Sequence, residues 1–189
     1  MRFLFIILLF IPFTIFAQRG ERPPFAPKGV VNERDEMGQR QGTWKSFSSD
    51  GEIILEVDYV NGRIEGMYRR YYQYEKLMEE CEYIGGKKDG AYKKLYFSGA
   101  TAVEGTYLNG KKDGQWTRYY DNDQIRVEGT YSKGSMESDW KYYNRKGELI
   151  KTVTYKNGVD QGALKAAQAA AEASSKKQTD KKAAPPAKK

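Results

Sequence analysis

Residues 107–124 read YLNGKKDGQWTRYYDNDQ, and residues 83–99 read YIGGKKDGAYKKLYFSG. The two segments lie 24 positions apart and agree column by column. Stepping by 24 from Gly42 reaches Gly66, Gly90, Gly114, Ser138 and Gly162. Two residues further on, the same step gives Trp44, Tyr68, Tyr92, Trp116 and Trp140. A second glycine column runs through Gly38, Gly62, Gly86, Gly110, Gly134 and Gly158, and a tyrosine column through Tyr59, Tyr83, Tyr107, Tyr131 and Tyr155. A glutamate column (Glu56, Glu80, Glu104, Glu128) ends at Thr152. The period never slips, and a fixed period of this length is the signature of a repeat architecture.

Each unit has two β-rich halves. One is the GxWxxYY half, such as Gly66–Tyr72, and the other resembles Ala102–Tyr107. Aromatic and β-branched residues suit a pleated surface. Ser49-Asp50-Gly51, Ser98-Gly99 and Lys146-Gly147 separate the halves, while Asn61-Gly62, Asn109-Gly110, Lys133-Gly134 and Asn157-Gly158 separate the units. Asn-Gly signals a hairpin because both residues tolerate positive φ. Leu55, Val57 and Tyr59 alternate with Glu56 and Asp58, so one face is apolar. The pattern predicts an all-β fold: an elongated single antiparallel sheet of stacked hairpin repeats, a meander of roughly ten to twelve strands. Equivalent residues of successive hairpins then stand about 9–10 Å apart. The ring columns form ladders, with glycines leaving room for rings close to the backbone.

These units resemble MORN-repeat proteins, and more closely the bacterial MORN-variant family labelled YwqK-type antitoxin. The resemblance covers residues 38–162 through the core Y-x-x-G-K-x-D-G-x-[WY]. It implies an elongated, twisted antiparallel sheet and a module for protein contacts, dimerisation or membrane-lipid association. The fifth unit departs, because Gly134–Ser138 lacks Lys-Lys-Asp-Gly; Glu75 and Asp123 replace the glycine of the hairpin tip.

The flanks read differently. Residues 1–17 combine Arg2, the apolar run FLFIILLFIPFTIF and a closing Ala17, which is the pattern of a cleaved secretory signal. The predicted location is therefore exported: periplasm, outer envelope or extracellular. Residues 18–37 form a Pro-rich linker with a degenerate cap, in which Asp35 takes the tyrosine place. Residues 163–189 form an Ala/Lys-rich tail: ALKAAQAAAEA has strong helix formers, and the remainder is basic, low in complexity and expected to be disordered.

Composition removes several chemistries. With no histidine there is no His ligand, base or triad, and the lone Cys81 excludes an intrachain disulfide or multi-Cys zinc site. The basic surplus resides in the tail, since residues 18–162 hold 24 Lys and Arg against 23 Asp and Glu. Gly105–Lys112 nearly spells a phosphate loop but has Lys112 where Ser or Thr must hold magnesium. The glutamate column lacks the asymmetry acid/base pairs need, so cross-strand pairing with Lys or Arg is expected. Cys81 occupies a packing column. No cofactor, metal or catalytic residue is predicted, and the chain is read as a non-enzyme.

What remains is binding. The candidate residues are Tyr83, Tyr92, Tyr107, Trp116, Tyr131 and Trp140, a regular aromatic surface suited to an extended partner. The competing reading makes these rings the core of a thin sheet. The expected partner is an envelope protein, with anionic lipid or glycan as an alternative, an antitoxin-like immunity role as another, and no nucleic acid.

Overall fold

A computed structural model describes residues 32–183, with side chains through residue 173. The predicted signal, most of the linker and the last residues of the tail lie outside the described residues. The strands are β1 (Glu33–Arg34), β2 (Arg40–Phe47), β3 (Ile53–Val60), β4 (Arg63–Tyr71), β5 (Leu77–Ile84) and β6 (Lys87–Leu95). They continue with β7 (Thr101–Leu108), β8 (Lys111–Tyr119), β9 (Ile125–Ser132), β10 (Ser135–Tyr143), β11 (Leu149–Lys156) and β12 (Val159–Asp160). All twelve form one antiparallel sheet in strict chain order, the predicted meander. Helix α1 (Gln161–Ala183) follows.

The unit-joining turns place two consecutive residues at positive φ, as in Asn109 (51°) and Gly110 (81°). That conformation matches the twist of the flanking strands. Each turn also leans on the preceding unit. The Gly110 amide donates to the Lys88 carbonyl at 2.7 Å, and the Gly134 amide to the Lys112 carbonyl at 2.8 Å. The acidic residue of each unit accepts the next turn's first amide: Asp89 from Asn109 at 3.1 Å, Asp113 from Lys133 at 3.0 Å, and Glu137 from Asn157 at 2.8 Å. On the opposite rim, the tyrosine that follows the strand end reaches forward, as in Leu95-Tyr96 and Tyr119-Tyr120. Tyr96 Oη donates to the Tyr119 carbonyl at 2.7 Å, and Tyr120 Oη to the Tyr143 carbonyl at 3.0 Å. Repeats are thus tied at both rims as well as through the ladder.

The GxW column is a bulge. Tyr59 pairs Ile64 and Val57 pairs Tyr68, so three residues of β4 face one of β3. Ser138 adopts φ 60° where the other units place glycine, and Glu75 and Asp123 take the tip glycine's conformation at φ 52° and 60°. The core is one layer thick. Its buried apolar side chains among the described residues are Val57, Cys81, Ala102, Trp116 and Trp140.

The tail departs from expectation at one point. The helix runs past ALKAAQAAAEA into the stretch expected to be disordered, as far as Ala183, the last described residue. No Gly or Pro interrupts residues 163–184, and the Lys and Gln there are good helix formers. The Asp160 carboxylate starts the helix by accepting the Gly162 and Ala163 amides at 2.8 and 3.0 Å.

Candidate functional site

Alternation divides the sheet into a ring face and a carboxylate face. On the ring face five of the six candidate residues form a continuous ladder. Tyr92 stacks on Trp116 with centroids 5.6 Å apart, Tyr107 meets Trp116 edge-on at 5.2 Å, and Tyr131 stands 5.8 Å from Trp116 and 5.0 Å from Trp140. Tyr83 lies one unit back, 5.6 Å from Tyr68. The structure therefore brings Tyr92, Tyr107, Trp116, Tyr131 and Trp140 into one aromatic spine, while Tyr83 pairs separately with Tyr68 on the same face. It does not leave them equally accessible. Trp116 and Trp140 are only 3 % and 4 % exposed, and their indole N–H groups donate to the Thr106 and Thr130 carbonyls at 3.1 and 3.2 Å. The four tyrosines are half-buried. Burial pushes the Tyr83 hydroxyl up to about 12; burial and the neighbouring Glu79 carboxylate raise that of Tyr92.

Cations sit on this spine. The Arg40 guanidinium lies 4.7 Å from the Trp44 ring, the Lys88 ammonium 5.0 Å from Tyr107, and the Lys112 ammonium 4.3 Å from Trp116. Burial, with Arg118 and Lys88 nearby, lowers the Lys112 pKa. Beside the spine, Arg70, Glu79, Lys94, Val103, Arg118, Val127, Tyr142 and Lys151 stand in one cross-strand row. Lys94, Lys112, Arg118 and Arg126 line a groove of about 450 Å³ floored by Tyr92, Tyr107 and Trp116.

The carboxylate face is internally neutralised along its central row. There Lys45, Glu56, Arg69, Glu80, Lys93, Glu104, Thr117, Glu128 and Lys141 follow one another across the strands. Lys45 meets Glu56 at 2.8 Å and Arg69 meets Glu80 at 3.6 Å, the expected cross-strand pairing. Tyrosines add hydroxyl donors: Tyr71 to Glu56, Tyr119 to Glu104 at 2.5 Å and Tyr143 to Glu128 at 2.6 Å. Leu95 takes the corresponding place next to Glu80, which has Arg69 as partner. A second groove of about 460 Å³ lies here, around Met67, Ala91, Lys93 and Gln115. Among the described residues no cluster of His, Cys, Asp or Glu is set to hold a metal.

Basic residues follow the Trp/Tyr column on both faces, as in Lys93 and Lys94 after Tyr92. Parity is the signal that separates them: Lys94 stands two residues from Tyr92 and shares its face, whereas Lys93 joins Glu80 and Glu104. Arg126 escapes that count. It lies at a bulge, between the pairs Tyr119–Ile125 and Arg118–Val127, and lines the ring-face groove.

Residues 40–61, 112–133 and 136–157 match the family model described as MORN repeat variant. MORN repeats are in general protein- or lipid-binding motifs and not catalytic ones. The matched segments are the hairpins carrying Trp44, Trp116 and Trp140; the two intervening hairpins carry Tyr68 and Tyr92 instead and continue the sheet without a break. No curated protein matches the chain. Among solved structures, the crystal structure of a GtfA/B complex bound to UDP and GlcNAc aligns at 14 % identity over 57 % of this chain, with a TM-score of 0.24. The alignment spans 21 % of that chain.

Proposed function

We propose that the chain is a non-catalytic, exported repeat scaffold that holds a protein partner in the cell envelope along the ring face of its sheet. One observation carries this reading: the ring face gathers half-buried tyrosines and cations, while the carboxylates of the opposite face's central row already have partners. Tyrosine and arginine are the residues enriched at interface anchors, and Arg40 and Arg118 stand on this face. Export rests on the apolar run of residues 3–16 and Ala17. The same cations favour a second reading, a surface for anionic lipid or glycan headgroups. The resemblance to YwqK-type antitoxins fits the first reading, since an immunity protein acts by holding its target.

The test is capture from envelope extract on the immobilised chain, with protein and lipid both analysed. Lys88→Glu on the ring face should abolish capture, and Lys141→Glu on the other face should leave it intact. Equal capture by both variants counts against the ring face; capture of lipid alone favours the second reading.

A further inference from the structure

We propose that the groove over the third and fourth units receives an acidic, extended polypeptide segment, whose carboxylates are held by Lys94, Lys112, Arg118 and Arg126. This rests on the scaffold reading and specifies the chemistry of the partner at one place on the ring face.

The first ground is unneutralised charge. Four cations line the groove and no carboxylate does. Glu79 is the one acid in the row beside it, and it already accepts the Tyr92 hydroxyl at 2.9 Å and an Arg70 N–H at 3.4 Å. Among the described residues Lys94 and Arg118 have no ion-pair partner, although Glu79 stands opposite Lys94 in the ladder. Near-neutral composition hides this arrangement, because the balancing carboxylates lie on the other face.

The second ground is spacing. Lys94 and Arg118 are equivalent residues on β6 and β8, two strands apart, a step of about 9–10 Å. In a polyproline II chain, side chains three residues apart share a face and stand about 9 Å apart. Acidic residues at that interval meet successive cations, and each guanidinium can grip a carboxylate through two parallel hydrogen bonds.

The third ground favours a chain over a bilayer. The Lys112 ammonium is half-buried, resting against Trp116 and Tyr131 at 4.3 and 4.9 Å, so a flat headgroup layer reaches Arg118 and Arg126 before it reaches Lys112. At one end of the groove, Phe97 packs on Tyr72 at 5.6 Å and on Tyr74 at 6.5 Å. Phe97 and Tyr74 are 46 % and 70 % exposed, so an apolar residue flanking the acidic run has an anchor there.

Labelled oligoglutamate, neutral oligoglutamine and phosphatidylglycerol vesicles are each titrated into the full chain. Saturable oligoglutamate binding is expected, weakened roughly tenfold or more by Arg118→Glu and separately by Lys94→Glu. Lys141→Glu should leave it within about twofold, and added salt should weaken it. Circular dichroism confirms that each variant folds. Equal losses in all three variants, or no oligoglutamate binding, overturns the inference. So does vesicle binding that Arg118→Glu removes while oligoglutamate fails to bind, which would assign the groove to headgroups. Retained capture of an envelope protein without oligoglutamate binding overturns the acidic segment alone. Oligoglutamate binding with no captured protein supports the segment and counts against the envelope scaffold.

Discussion

The indole of Trp116 lies over Gly105, so closely that a Cβ on that glycine would stand 2.3 Å from the indole Cδ2. Trp140 covers Gly129 at the same distance. In the same columns Tyr68 faces Val57 and Tyr92 faces Cys81. Across Tyr68, Tyr92, Trp116 and Trp140, ring size and the residue covered on the preceding strand therefore vary together, tryptophan with glycine and tyrosine with a side chain; Trp44, beside the edge strand at Glu33, stands outside this rule. Gly105→Cys should cost about 1–3 kcal/mol by overpacking. Adding Trp116→Tyr recreates the Cys81–Tyr92 pair and should recover most of that loss. Urea denaturation of the single and double variants measures the coupling; simple additivity would show that the two positions are independent.

Ser138 holds φ 60° in a column where four units place glycine. Left-handed backbone is strained for a residue with a Cβ. Ser138→Gly should stabilise the protein by about 0.5–1 kcal/mol, with the greater freedom of glycine in the unfolded chain offsetting part of the relief. A lowered denaturation midpoint would refute this.

Asp113 accepts the Lys133 amide, one of the bonds joining a unit to the next turn. Asp113→Ala should cost about 1 kcal/mol, whereas Asp113→Asn, which keeps an acceptor, should cost less. Amide exchange should accelerate at Lys133 and Gly134 before it does at Asn61. Uniform acceleration would contradict a nearest-neighbour coupling.

Alkaline pH should unfold the sheet. Burial, with carboxylate or tyrosine neighbours, pushes the hydroxyls of Tyr83, Tyr119 and Tyr142 up to about 12 from an ordinary 10.0. The unfolded chain then releases these protons first. Their contribution is whole below pH 10 and is lost as pH rises from 10 towards 12. Tyrosinate absorbance and far-ultraviolet circular dichroism should change together; full tyrosine ionisation with the sheet intact would contradict the coupling.

Cys81 is 1 % exposed, and burial pushes its thiol up to about 11. It should resist thiol reagents in the native protein and react on unfolding. Rapid native labelling would remove it from the core.

Much of this was legible because the recurring residues are backbone specialists. Asn109-Gly110 names its own turn, and the repeat columns fix which strands neighbour which. The candidate rings were also legible as a column, but the column does not say which rings stay wet. That depends on Gly105 and Gly129, where the missing side chains let Trp116 and Trp140 sink, while the tyrosines opposite Val57 and Cys81 remain half-buried. The bonds from Asp113 and Tyr120 were hidden for another reason: each joins residues on different hairpins, a relation visible only once the stacking distance exists. Arg126 was hidden because a bulge breaks the two-residue count.

The sheet stays open, and its rim bonds reach no more than one unit: 20 residues from Asp113 to Lys133, 22 from Lys112 to Gly134, and 23 from Tyr120 to Tyr143. Nothing in such an object counts. A closed barrel must satisfy a strand number, but this ribbon has no total to satisfy, so a unit can be duplicated or lost wherever the ring at the new joint matches the residue it covers. Its length is a free variable, available to be matched to the length of whatever lies along it.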